Sequence, residues 1–184
     1  MGRTGKWWAY QHAAIVPDVM AVAKGLGGGL PIGAVLAGPR ADIFTVSDHG
    51  STFGGGPLVT AVAAAVVDAI LREGLVENAA RVGERLRHGL LQLAERGAPI
   101  AEVRGRGLML GVVLTQPVAQ QLVRAALRGG LLINATGASA LRLIPPLILS
   151  AAQADEAVER LAAAFELVAG GAASGAGALE GEKP

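Results

Sequence analysis

The chain is 184 residues long and 52% hydrophobic, with 16 Lys and Arg against 15 Asp and Glu, a formal charge of +1 at pH 7. So even a balance gives no electrostatic case for nucleic acid or an anionic membrane surface as partner, and the lack of cysteine excludes disulfides and cysteine-ligated metal sites while fitting a cytoplasmic protein. The longest apolar stretch, 61–67, is cut by Asp68 and is far too short to span a bilayer, and the N-terminal residues lack the apolar core of a signal peptide.

Taken in order, residues 2–12 combine turn formers with Trp7, Trp8 and Tyr10, and the two tryptophans serve either as packing, the commoner use, or as a stacking platform. Pro17-Asp18 resets the chain before the apolar run 19–23, which predicts a short buried strand. Lys24 follows that run and is itself followed by Gly25, Gly27, Gly28, Gly29 and Pro31. Residues 32–37 predict a second strand, 39–46 a short helix and 47–56 a polar, glycine-rich loop. Pro57 suits a first helical turn, and 58–71 is apolar around most of its circumference, which predicts a buried helix. Beyond Gly74 a second helix spans 76–95, with a charged face made by Glu77, Arg81, Glu84, Arg85 and Arg87. After Pro99, strands over 100–103 and 108–114 flank an Arg104-Gly105-Arg106-Gly107 turn. A helix runs from Pro117 to about residue 128, and strands over 131–134 and 141–144 follow around a turn containing Gly137. Ser150 and Gln153 form a capping-box pattern ahead of apolar positions 154, 158, 161, 165 and 168, which predicts a last helix. The remainder is glycine, alanine and a few charges, a composition that predicts disorder.

Lys24 is the first chemical candidate. At the end of an apolar strand, among glycines that let a ligand approach the backbone, its ammonium loses solvation and becomes an amine nucleophile; the competing reading is a solvated surface charge, the usual fate of lysine. The glycines come after the lysine, so this is not a P-loop, and no G-x-G-x-x-G opens a helix. Ser51 and Thr52 precede glycines 54–56 and a helix start, where hydroxyls and amides can face an anion, or simply form a Ser/Thr turn. Arg142 lies in a run of leucine and isoleucine, surroundings in which a guanidinium needs an anion, either a ligand or a side-chain carboxylate. His12, His49 and His88 lack metal-ligand spacing, so no metal site is expected. Arg104 and Arg106, set between glycines, read as shaping a turn rather than binding substrate.

Several motifs stand together in one order: Gly2-Arg3-Thr4-Gly5-Lys6, Pro17-Asp18, Ala23-Lys24-Gly25-Leu26-Gly27-Gly28-Gly29-Leu30-Pro31-Ile32-Gly33, Gly50-Ser51-Thr52-Phe53-Gly54-Gly55, Val103-Arg104-Gly105-Arg106-Gly107-Leu108 and Leu141-Arg142-Leu143-Ile144-Pro145-Pro146-Leu147. In that order and spacing they resemble the class III aminotransferases, chiefly the acetylornithine branch, up to about residue 168. The resemblance implies an α/β fold, a fragment of the fold type I pyridoxal-phosphate transferase fold. The end of a cofactor-binding large domain would occupy 1–56, an interdomain helix 57–73, an α+β C-terminal small domain 74–168 and a disordered tail 169–184. It implies pyridoxal 5′-phosphate as cofactor, joined to Lys24 as a Schiff base. It further implies a phosphate contact from Thr52 across a homodimer, a substrate contact from Ser51, and Arg142 on the substrate carboxylate or, without substrate, on a glutamate. The implied reaction moves an amino group between N-acetylornithine, or a similar omega-amino donor, and 2-oxoglutarate in arginine biosynthesis. Gly56 departs from the asparagine usual before the proline. The family's acidic partner of the pyridine nitrogen, its phosphate-binding glycine-threonine loop, its stacking ring and its distal arginine have no counterpart here, so the chain is expected to be truncated and inactive alone. The alternative expectation is a non-catalytic remnant that associates with itself or with a full-length relative through the apolar 58–71 helix.

Overall fold

The structure, a computed structural model, describes residues 1–175. Its elements are β1 (Val19–Val22), β2 (Ala34–Ala37), α1 (Pro57–Arg72), α2 (Leu75–Glu95), β3 (Ile100–Arg106), β4 (Met109–Leu114), α3 (Ala119–Arg128), β5 (Asn134–Gly137), β6 (Ala140–Leu143) and α4 (Ala151–Gly175), with 3-10 turns at Ala9–His12 and Lys24–Gly27. β1 and β2 pair antiparallel, Val22 opposite Ala34. The other four strands form an antiparallel sheet in the order β3-β4-β6-β5.

Alternation along these strands decides what is core. Val103, Val112 and Leu141 stand in one row across the sheet and are buried under the helices, so the adjacent row, Arg104, Gly111, Arg142 and Asn134, falls on the opposite face. Leu86 and Leu90 of α2, Leu122 of α3 and Leu161 of α4 complete the core. α2 and α4 are also joined at the surface, where the Arg85 guanidinium donates to both carboxylate oxygens of Asp155 at 2.5 and 2.7 Å. The capping box at the start of α4 forms in both directions: the Gln153 amide donates to Ser150 Oγ at 3.2 Å and the Ser150 amide to Gln153 Oε1 at 2.9 Å.

The N-terminal segment is locked to this body through glycine. A Cβ on Gly83 of α2 would lie 2.2 Å from the Gly107 carbonyl carbon, so the helix rides directly on the β3–β4 turn. Gly107, at φ +54°, is pressed in turn against the backbone from Arg3 to Gly5. The Leu108 amide donates to the Arg3 carbonyl at 2.8 Å, and the Arg3 guanidinium donates to the carbonyl of Pro145. Burial there pulls the Arg3 pKa below its ordinary value.

Several expectations need correction. β1 forms where expected but only Val22 is buried. Residues 39–46 are not helical: the Ala41 amide closes a turn onto Gly38 O at 2.9 Å, and Asp48 captures the Thr45 amide and hydroxyl at 2.6 and 2.9 Å, a local side-chain competition that helix formation loses. α1 forms, yet only Ala63 and Ile70 are buried and Leu58 is 72% exposed, because α2 and the Lys24–Gly27 turn cover only part of it. Residues 131–133 are not strand, since the Leu131 amide still closes the end of α3 on Ala126 O at 2.8 Å, and pairing starts at Asn134. β3 runs through Arg106, so Arg104 is a strand residue and not part of a turn. α4 continues to Gly175, into the segment expected to be disordered; 176–184 lie outside the described residues.

Gly83→Ala sets two effects against each other. Helix propensity favours alanine by about 1 kcal/mol, whereas forcing a methyl into a packed site costs about 1–3 kcal/mol, at the upper end when the obstacle is backbone. The clash is expected to win, lowering the urea midpoint with an unchanged m-value; equal or higher stability would contradict the packing. Asp155 titrates below the ordinary carboxylate value through its hydrogen bonds to Arg85. The advantage of the wild type over Asp155→Asn is therefore expected to be full above the unfolded carboxylate pKa of about 4 and to fade as pH falls through the lower folded value, read by thermal melts across that range.

Candidate active site

Lys24 opens the 3-10 turn at the carboxyl end of β1 with φ +54°, a left-handed conformation uncommon for a residue with a side chain. The turn is fixed by the glycines behind it. A Cβ on Gly27 would meet Ile32 Cγ2 at 2.7 Å, and one on Gly28 would meet Val66 Cγ2 of α1 at 3.0 Å, whereas Gly25 and Gly29 face open space. The glycine run thus divides between packing and leaving room beside Lys24. Contrary to the expected apolar enclosure, Lys24 is exposed. An apolar groove of about 380 Å³ is lined by Trp7, Trp8, Val22, Leu26, Leu36 and Leu71, and both tryptophans are half-buried.

Ser51 and Thr52 are exposed in the loop before α1. Ser51 Oγ accepts from the Gly54 amide at 3.0 Å, so the serine braces the loop ahead of Gly56. α1 then starts with Gly56 as an uncapped N-terminal residue, Pro57 in its first turn and no acidic side chain there, which leaves its positive end uncompensated.

Arg142 does not sit among the leucines that flank it. Alternation buries Leu141 and Leu143 and turns Arg142 to the outer face, where it is exposed and borders a groove of about 210 Å³ together with Arg104, Gly111 and Thr136. Arg104 borders the same groove, and its place in one row with Arg142 is legible only once strand register is known. Among the described residues, no hydrogen bond or ion pair joins Lys24, Ser51, Thr52 and Arg142 to one another.

The histidines have structural contacts. His12 Nε2 lies 3.1 Å from the Thr4 carbonyl and 3.2 Å from its hydroxyl, His88 is paired with Gln92, and His49 stacks on Phe44. Among the described residues no group of three or more His, Cys, Asp or Glu could hold a metal, and no helix is long and apolar enough to cross a membrane.

Solved structures that share this arrangement are transaminases. The chain belongs to the class III aminotransferase family, whose profile (Aminotransferase class-III) matches residues 1–165; enzymes of this family depend on pyridoxal phosphate. Acetylornithine aminotransferase 1 of Bordetella pertussis is 55% identical over 163 residues, 88% of this chain and 41% of that protein. Acetylornithine aminotransferase of Mycobacterium tuberculosis is 49% identical over 172 residues, 92% of this chain and 42% of that protein. Among structures, the acetylornithine aminotransferase of Elizabethkingia anophelis superposes with a TM-score of 0.84 at 35% identity, over 90% of this chain and 43% of its own. An ornithine aminotransferase from Toxoplasma gondii, crystallised with oxidised glutathione and showing partial occupancy of PLP at its active site, superposes with a TM-score of 0.84 at 32% identity, over 91% of this chain and 41% of its own. The chain thus spans about two-fifths of the length of these relatives.

The left-handed turn makes stability at position 24 depend on the residue in an unusual way. Alanine there keeps the conformational cost of about 1–2 kcal/mol that glycine escapes, partly offset by the greater freedom of glycine in the unfolded chain, about 0.4–1 kcal/mol. Lys24→Gly is therefore expected to be more stable than Lys24→Ala by about 1 kcal/mol in urea titrations; an alanine variant of equal or greater stability would contradict the geometry.

Proposed function

We propose that this chain is the lysine-bearing part of an acetylornithine-type aminotransferase and that Lys24 is the amine that holds pyridoxal phosphate. The observation that carries this reading is the left-handed backbone of Lys24 at the carboxyl end of β1, since strained conformations of this kind cluster where a side chain must be presented to a ligand. The surrounding residues fit the cofactor: the amine is exposed, Gly25 and Gly29 leave space beside it, and the start of α1 offers amides with no competing acid.

When bound, pyridoxal phosphate supplies an electron sink for the bonds at the amino-bearing carbon. Nζ of Lys24 would hold the cofactor covalently and would take a proton from the amino-bearing carbon of the substrate and return it. The Thr52 hydroxyl and the first amides of α1 bind the phosphate across a homodimer, Ser51 lies against substrate, and the planar fork of Arg142 takes a carboxylate. In this reading residues 1–56 belong to the cofactor domain, 57–73 link it to the small domain, and 74–168 form that domain. The substrates are N-acetylornithine, or a similar omega-amino donor, and 2-oxoglutarate, with arginine biosynthesis in the cytoplasm as the setting. Turnover then requires groups from the rest of the relatives' length, and this chain alone is inactive.

A second reading, association of this chain with itself or with a full-length relative, is favoured by the large apolar side chains left in water at Val46, Phe53 and Leu58. Sedimentation at rising concentration is expected to show dimers or larger species; a monomer throughout would remove this reading.

For the main proposal, the chain is incubated with pyridoxal phosphate, reduced with borohydride and digested. The expected result is labelling of Lys24 in clear excess over Lys6 and Lys183. Equal labelling of the three would reject a retained cofactor site.

A further inference from the structure

β6 is joined to α4 through residues 144–149, Ile144-Pro145-Pro146-Leu147-Ile148-Leu149, a strap that is neither strand nor helix. Its two prolines have no amide hydrogen, so this part of the chain cannot extend the sheet and offers carbonyl oxygens in place of a full ladder. Carbonyls held against the body need donors from elsewhere. Pro145, Leu147 and Leu149 are the half-buried residues of the strap, alternating with exposed Ile144, Pro146 and Ile148. Their three carbonyls are the ones that side chains capture.

Two residues supply the donors. Asn78 of α2 donates through Nδ2 to the Leu147 carbonyl at 2.8 Å and to the Leu149 carbonyl at 3.0 Å, while its Oδ1 accepts from the Arg81 guanidinium at 2.8 Å. These partners decide which way round the amide lies, since a flipped amide would set oxygen against two carbonyls and nitrogen against a guanidinium. Arg3 donates to the third carbonyl, that of Pro145. The N-terminal segment also rests on the strap through Gly2, buried at φ +69°, where a Cβ would stand 3.4 Å from Leu147 Cδ1 and 3.5 Å from Val76 Cγ2 of α2. Among the described residues no hydrogen bond joins Arg3 to Asn78, so the strap is what they share.

We propose that Asn78 is a positioning residue for the lysine-bearing part of the chain: by holding the Leu147 and Leu149 carbonyls it sets the strap that presents the Pro145 carbonyl to Arg3. Released from Asn78, the strap keeps its ends in β6 and α4 but loses the bonds that fix its middle, and Arg3 loses a fixed acceptor. The Arg3 carbonyl in turn accepts from the Leu108 amide at 2.8 Å, so docking of this segment is read at a residue remote in sequence from Asn78 and the strap. Trp7 and Trp8, a few positions beyond Arg3, line one groove with Val22 and Leu26, which flank Lys24 in the chain. The consequence for Lys24 rests on its reading as the cofactor amine; the docking itself does not.

The test follows amide hydrogen exchange by NMR in the intact chain, without pyridoxal phosphate, at the Leu108 amide and, as reference, at the Leu131 amide, which bonds the Ala126 carbonyl at the end of α3. In Asn78→Leu, close to asparagine in size but without donors, Leu108 is expected to exchange about 10-fold faster while Leu131 is unchanged, because two modest hydrogen bonds are lost locally. Asn78→Ser, too short to reach the strap and adding no apolar bulk, is expected to do the same, so a fold lost in the first variant does not decide the matter. Arg3→Met is expected to give a similar rise, and adding Asn78→Leu to it a further rise of no more than about 2-fold, since both act through one strap. Equal rises at Leu108 and Leu131, the mark of general destabilisation, would overturn the proposal, as would an unchanged Leu108 or effects of the two substitutions that multiply. Borohydride labelling with pyridoxal phosphate then reads Lys24, whose excess over Lys6 and Lys183 is expected to fall severalfold in Asn78→Leu. An excess kept in a variant whose Leu108 exchange has risen would overturn the link to the lysine. No Lys24 excess in the wild type would reject the cofactor reading, and the exchange measurement alone then decides the proposal.

Discussion

The part of this chain that carries Lys24 and the part that carries Arg142 are held together by a backbone-to-backbone contact that only glycine permits. Gly83 lets α2 settle on Gly107, and Gly107 in turn receives the Arg3–Gly5 segment, which leads towards β1 and Lys24. Arg3 completes the joint by donating to the Pro145 carbonyl, three residues beyond Arg142. The strand that ends at Lys24 and the strand that carries Arg142 are therefore referred to one another through a joint of main-chain atoms, with little rotamer freedom to blur it.

The two halves differ in how they are stabilised. Residues of α2, the four-stranded sheet, α3 and α4 build a contiguous apolar core with no buried polar side chain among the described residues. The part around β1, β2 and α1 leaves Val35, Ile43, Phe44, Phe53 and Leu58 in water. Each such side chain forgoes about 1.5–3 kcal/mol that burial would contribute. Stability in this chain therefore resides mainly in the second half, while the chemistry proposed for Lys24 resides in the first. Lys24 is itself exposed in this chain, which spans about two-fifths of the length of the relatives it matches.

Much of this was legible in the sequence where a local signal has a single structural meaning. The 3.6-residue period gave α2 and α4, the Ser150–Gln153 pair marked the start of α4, and Lys24 was placed at a strand end by the switch from apolar residues to glycine. Features set by neighbours were not legible. An apolar run such as 58–71 says that a helix prefers burial, but what covers it is decided elsewhere, and here little does. Arg142 looked buried because leucine and isoleucine surround it in sequence, although a strand sends adjacent side chains to opposite faces. The glycines that flank Arg104 suggest a turn; only the register of β3 on β4 and of β4 on β6 sets it in one row with Arg142.

The central claim is that Lys24 itself retains the cofactor. It is tested most directly by passing the chain, pre-mixed with pyridoxal phosphate, through a desalting column and comparing the cofactor carried by wild type and by Lys24→Ala of equal fold. Retention by the wild type and its loss in the variant is the expected result; equal retention by both would contradict the claim.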